Sequence, residues 1–167
     1  MFGVFIGEHE NKIDAKGRLS IPADFRRELE DGDPKWEPGK NASMLLVYGD
    51  HRRSHVEVMK ITDMRDVYTK ITRMPRGSIK RRDMERLYFQ QALTATVDET
   101  GRIVLSARVR DKLGLDGTAM VVGNGSTFEI WKPETYAAND LSNLRDEDGY
   151  DPDLDPSVYL PGDDGDV

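Results

Sequence analysis

Along this chain the spacing of apolar residues changes from two to four in two places, and in the same way each time. Apolar and polar residues alternate through Leu19 and Ile21, and again through Ile103 and Leu105, as in a strand with one buried face. A spacing of four then takes over, from Phe25 to Leu29 and from Val109 to Leu113, which predicts a short amphipathic helix. Pro22 is placed as a first helical residue, where its missing N–H is no loss, and Ser106 offers a capping hydroxyl at the matching place. Gly114 is expected to end the second helix.

The two places are copies. Residues 13–29 and 97–113 align at an offset of 84, with Asp14/Asp98, Gly17/Gly101, Arg18/Arg102, Ala23/Ala107, Arg26/Arg110 and Leu29/Leu113 identical. Each copy reads as strand, tight turn, strand and short helix. Downstream of each, LLVYGDHRRSHVEVMK and MVVGNGSTFEIWK read as hairpins, the first with a longer connection over residues 50–55 and the second turning at Asn124-Gly125. The opening MFGVFIGEHE is read as a strand. Residues 61–91 carry helical spacing at Met84, Leu87 and Tyr88, a start signal at Ser78 and a break over residues 75–77. The resulting division is a first unit at 1–60, a helical linker at 61–92, a second unit at 93–140 and a tail at 141–167.

Composition narrows the function. The net charge of -7 argues against a nucleic-acid partner until it is located. Residues 141–167 hold nine acidic residues and one basic residue, whereas residues 1–140 hold 23 basic and 22 acidic. The acidity therefore belongs to a tail rich in Asp, Pro and Gly, which is expected to be disordered. Cysteine is absent, which excludes disulfides and thiolate chemistry. The amino-terminal apolar run is too short for a signal peptide or a membrane span, and a cytoplasmic protein without a membrane partner is expected.

The chemistry concentrates in Asp-x-x-Gly-Arg, found at residues 14–18 and 98–102. An Asp that opens a turn accepts from nearby amides, and Gly supplies a positive φ. Neither role explains the Arg. A lone Arg at a turn is usually a solvated side chain, but this one recurs at matched positions, with Lys16 beside the first and Arg26, Arg27, Arg108 and Arg110 close behind. Guanidinium groups on stiff hairpins suit phosphate clamping or bidentate contacts to guanine in a major groove. Lys16, Arg18, Arg26, Arg27, Arg102, Arg108 and Arg110 are the candidate DNA contacts, and Asp14, Gly17, Asp98 and Gly101 are the turn formers.

With its MF start, IDAKGRLSIPADFR at 13–26, DETGRIVL at 98–105 and FEIWKPETY at 128–136, the chain resembles the MraZ family. The resemblance covers roughly residues 1–140. It implies an α+β fold of tandem SpoVT/AbrB-like swapped-hairpin units that form a small pseudo-symmetric β-barrel with short flanking helices. It also implies a nucleoid-associated transcriptional regulator of a division and cell-wall gene cluster. Such a regulator binds promoter direct repeats in double-stranded DNA, as a repressor and a ring-like homo-oligomer. The family motif falls on Asp14, Lys16, Gly17 and Arg18. The second copy departs from it, with Thr100 in place of Lys16 and Ser106 in place of Pro22.

Other readings are weaker. Three histidines and no cysteine offer little to an enzyme, and neither a cofactor nor a small-molecule substrate is expected. His51 and His55 have metal-like spacing only on a helix, and Gly49 with Arg52 and Arg53 argues for a turn there, so no metal site is expected. Asn124-Gly125-Ser126 reads as a hairpin turn rather than a glycosylation acceptor. The basic stretch Arg73, Arg76, Lys80, Arg81, Arg82 and Arg86 reads as a solvated helix face paired with Asp83 and Glu85. Phe128 and Trp131 read as core or interface residues rather than stacking platforms. The rival from another class is an AbrB-like antitoxin or scaffold that acts through a partner chain.

Overall fold

A computed structural model describes residues 3–139 and 149–162. The first copy contributes strands β1 (Glu8–Lys12) and β2 (Arg18–Ser20), helix α1 (Ala23–Asp31), and strands β3 (Ser43–Val47) and β4 (Val56–Lys60). Helices α2 (Ile61–Thr72) and α3 (Ile79–Glu85) follow, and a π-helical turn over Arg86–Gln90 extends α3. The second copy contributes β5 (Ala92–Thr96), β6 (Arg102–Val104), α4 (Ala107–Leu113), β7 (Thr118–Asn124) and β8 (Thr127–Trp131), before α5 (Pro133–Ala138).

Six strands form an antiparallel sheet in the order β1-β7-β8-β4-β3-β5, and β2 pairs with β6 in a separate two-stranded ribbon. Exchanging the two copies reverses the sheet order into itself, which places a pseudo-two-fold axis between β4 and β8. The copies are interlocked. The first strand of each copy pairs with the hairpin of the other, β1 with β7 and β5 with β3. Sequence expectation is met for an α+β architecture of matched units, but the ladders among the described residues do not close into a barrel. The sheet ends at β1 and β5.

Alternation along the strands explains the layers. Met44, Leu46, Val56, Val58, Ala119, Val121, Phe128 and Ile130 face one side of the sheet. There they meet Leu19, Ile21, Ile103 and Leu105 from the ribbon and Phe25, Leu29, Val109 and Leu113 from α1 and α4. On the other side, Leu45, Val47 and Met59 pack against Leu87, Met64, Val67 and Tyr88 of the helical segment. Ser78 caps α3 by accepting from the Arg81 amide, Ser106 caps α4 by accepting from the Val109 amide, and Gly114 ends α4 with φ +65°. Pro22 occupies the N-cap itself, one residue earlier than predicted, and α1 starts at Ala23.

The opening segment does pair as a strand, but its regular part, Glu8–Lys12, starts beyond the apolar run. The polar run Glu8–Lys12 pairs with β7, and apolar Phe5 bridges Gly125 in the same register while its ring plugs the core against Phe25 and Phe128 at 5.2 and 5.0 Å. An edge strand has only one neighbour to satisfy and tolerates polar side chains, so hydrophobicity pointed to the plug instead of the strand. Phe5 is fixed by a hydrogen bond in each direction with Gly125. A Cβ on Gly123 would lie 2.5 Å from the Phe5 carbonyl carbon and oxygen. Gly123→Ala should therefore cost about 1–3 kcal/mol by forcing main chain apart. A lowered urea midpoint with an unchanged slope would bear this out.

The tail was expected to be disordered. Residues 140–148 and 163–167 lie outside the described residues. Within 149–162, Pro156–Tyr159 forms a short 3-10 helix capped by Asp155, and the Tyr159 ring lies tilted against Tyr150 at 5.6 Å. No helix among the described residues is long and apolar enough to cross a membrane.

His51 is exposed in the β3–β4 connection, whereas His55 stacks on Trp131 at 4.7 Å. Among the described residues no three His, Asp or Glu side chains gather as a metal site. Burial lowers the His55 pKa, and Arg53 and Lys112 act in the same sense. Glu129, whose Oε2 lies 3.2 Å from Nε2, and Glu57 oppose the shift without overcoming it. The unfolded chain thus takes up this proton at a higher pH than the fold does. Stability should fall as pH drops from neutral through the usual histidine range, at about pH 6.5 and below. Urea midpoints measured across that range should flatten in His55→Gln, and an unaltered pH slope would clear His55 of the effect.

Candidate nucleic-acid interface

Each copy turns through the same hydrogen-bonded loop ahead of its ribbon strand. Asp14 Oδ1 accepts from the amides of Lys16 and Arg18, at 3.0 and 2.9 Å. Asp98 Oδ1 accepts from the amides of Thr100 and Arg102, both at 2.9 Å. Gly17 and Gly101 close the loops with φ of +78° and +81°, a region that side-chain-bearing residues rarely enter. Chiefly through the Arg18 amide, Asp14 is held below the ordinary carboxylate pKa, and the Arg102 amide does the same for Asp98. Both remain ionised at neutral pH, with one oxygen of each folded back into its own turn.

The turns deliver their arginines to one surface. In the ribbon Leu19 pairs with Ile103 and both point into the core. Period-two alternation then sends Arg18, Ser20, Arg102 and Val104 outward. Val104 is 61% exposed although it is aliphatic. A two-stranded ribbon of this kind is one of the two elements that a B-DNA major groove admits.

The two guanidiniums are not equivalent. Arg18 Nε donates to Asp14 Oδ2 at 2.6 Å, and its Nη groups make no hydrogen bond among the described residues. Arg102 donates through Nε to Thr100 Oγ1 at 2.8 Å and through Nη1 to Asp14 Oδ2 at 3.4 Å. Asp14 is thus an acceptor shared between the copies. With 33% and 28% of their side chains exposed, both arginines are steered at Nε, and Arg18 leaves both Nη groups open among the described residues whereas Arg102 commits Nη1 to Asp14. Thr100, which replaces the first turn's Lys16, ties Arg102 down, while Lys16 is exposed. The first turn, with Asp14, Lys16 and Arg18, has a net positive charge. The second, with Asp98, Glu99 and Arg102, has a net negative one.

The other candidate arginines fall into two pairs. Arg27 is exposed and bonded to Asp24 at 3.0 Å, and Arg108 is exposed and donates to the Tyr48 hydroxyl at 3.3 Å. Arg26 and Arg110 are only partly exposed and lie against the turn glycines of the opposite copy. In the basic helical stretch, Arg81 pairs with Glu85 and Arg86 with Asp83, and Arg81 also donates to the Met74 carbonyl at 2.9 Å, bracing the α2–α3 break. Three features escaped the sequence reading: the pairing of β2 with β6, the outward Ser20 and Val104, and the sharing of Asp14. Matched alternation in the two copies was a signal for the outward set, but none existed for the pairing.

The chain matches the family model described as MraZ protein, antitoxin-like, over residues 4–36 and 88–143. A protein named Transcriptional regulator MraZ from Ruegeria sp. (strain TM1040) is 47% identical over 161 residues, 95% of each chain. The chain belongs to the MraZ family. Another MraZ, from Ruegeria pomeroyi, is 44% identical over 159 residues and again 95% of each chain. A more distant MraZ, from Leuconostoc citreum, is 27% identical over 146 residues, 86% of this chain and 93% of its own. The two stretches that match the MraZ model contain the two Asp-x-x-Gly-Arg turns and leave β3, β4, α2 and α3 outside.

Proposed function

We propose that this chain is a transcriptional regulator that binds double-stranded DNA sequence-specifically through the outer face of the β2–β6 ribbon. The observation that carries the reading is that Arg18 and Arg102, from opposite copies, emerge on one face of a two-stranded ribbon around the shared Asp14 carboxylate. The Arg18 guanidinium, steered at Nε and open at both Nη groups among the described residues, suits bidentate contact with guanine O6 and N7, Arg102 adds its remaining Nη2, and Val104 suits a thymine methyl. Lys16, Arg27 and Arg108 then serve as exposed phosphate contacts beside the groove. Catalysis has no part in this mechanism.

The finer reading follows the family. The strand exchange between copies is taken as the swapped-hairpin arrangement of AbrB-like regulators. The regulator acts in the cytoplasm on the nucleoid, as a repressor of a division and cell-wall gene cluster, and as a ring-like homo-oligomer on promoter direct repeats. Fluorescence-anisotropy titration against DNA from upstream of the chain's own gene, with scrambled DNA of equal length as control, tests it. Tighter binding to the upstream duplex is expected. Equal affinity for both would refute sequence-specific recognition.

The family's antitoxin-like description favours a second reading, in which a partner chain is the target. Arg18→Ala separates the two, because it should weaken binding to the upstream duplex by roughly one to two orders of magnitude and leave a complex with a partner chain intact. The acidic tail should compete with DNA for the same cations. Removal of residues 144–167 is expected to strengthen binding at low salt, and unchanged affinity would dismiss that competition.

A further inference from the structure

We infer that Arg26 and Arg110 are positioning residues that hold the opposite copy's turn in place, so that each copy's helix aims the other copy's DNA-reading arginine. The inference rests on the DNA-binding reading for its purpose and on geometry for its substance. A Cβ built on Gly101 would lie 2.3 Å from Arg26 Nη1 and 2.8 Å from its Cζ. A Cβ built on Gly17 would lie 3.2 Å from both Cζ and Nε of Arg110. Each guanidinium therefore occupies the space that a side chain on the glycine would need.

The same two glycines are gripped from their other side. The Ile21 amide donates to the Gly101 carbonyl at 2.9 Å, and the Leu105 amide donates to the Gly17 carbonyl at 2.8 Å. Each turn is thus bound by the other copy's ribbon strand and covered by the other copy's helix.

Charge pairing does not account for either arginine. Among the described residues Arg26 and Arg110 form no ion pair, and the Nε of each is buried without a hydrogen-bond partner. The flat, weakly hydrated face of a guanidinium can pack on a bare peptide where an ammonium cannot. This also accounts for the sequence: the identities Gly17/Gly101 and Arg26/Arg110 are the two halves of one contact made twice.

Backbone amide exchange by NMR on the full chain, combined with salt-dependent DNA binding, tests the inference. Arg26→Lys keeps the charge and Arg26→Met keeps bulk without it. Both should speed exchange at the Gly101 and Ile21 amides by about tenfold or more, while the Gly17 and Leu105 amides stay protected. The Arg110 variants should do the reverse. Affinity for the upstream duplex should fall in every variant, with the slope of log affinity against log salt unchanged.

A direct phosphate contact would behave differently. Arg26→Lys would then preserve protection and slope, and Arg26→Met would lower the slope by about one without altering exchange at Gly101; that result would overturn the inference. If Arg26→Met does not fold, the lysine variant still decides. If the unsubstituted protein binds no DNA, the DNA reading fails on its own, and the crossed exchange pattern still tests the positioning role.

Discussion

Arg18→Ala is expected to weaken binding to the upstream duplex by one to two orders of magnitude, the loss of about 1–3 kcal/mol typical of a bidentate guanine contact. The effect should exceed that of Arg102→Ala. Among the described residues Arg18 is engaged only at Nε, whereas Arg102 spends Nε on Thr100 and Nη1 on Asp14 and sits in the turn with the negative balance. Stability should barely change, because the Arg18–Asp14 pair is one-third exposed and pairs of that kind contribute little. Affinity for scrambled DNA should fall much less than affinity for the upstream duplex. Equal losses on both would reassign Arg18 to the phosphate backbone, and no loss on either would remove it from the interface.

Phe25→Ala is expected to be the most damaging core substitution. Phe25 lies in α1, is 1% exposed, and contacts the rings of Phe5, Phe128 and His9 at 5.2, 5.1 and 5.4 Å. Truncation removes a ring from the point where the amino-terminal plug, the first helix and the second copy's hairpin meet. Losses for a buried Phe→Ala run at about 3–5 kcal/mol, which in a chain of this size lowers Tm by roughly 6–20 °C. Phe25→Leu should recover much of the loss. A calorimetric Tm within about 2 °C of the unsubstituted protein would show that the ring cluster does not hold the copies together.

Local pattern made much of this architecture readable. Leu19, Ile21, Ile103 and Leu105 are buried as their alternation required, Gly114 and Ser106 bound α4 as predicted, and both hairpins stand where apolar runs flanked a turn. Partnership was not readable, because a strand's alternation tells which face is buried and not which strand lies beside it. The pairing of β1 with β7 and of β2 with β6 therefore emerged only in three dimensions. The same limit governs the arginines. Proximity in sequence grouped Arg26 with Arg27, yet the helix turns them onto different surroundings, one against Gly101 and the other into solvent beside Asp24.

Val104 is an exposed aliphatic side chain on the outer ribbon face, opposite Arg18 and two residues along the strand from Arg102. Hydroxyl-radical footprinting of the protein with and without the upstream duplex should show Val104 becoming protected, while Ile79 and Tyr68, exposed on the helical segment, keep their reactivity. Val104 labelled equally in both states, with protection moving to Ile79 or Tyr68, would place the DNA on the other side of the molecule and contradict the ribbon as its reader.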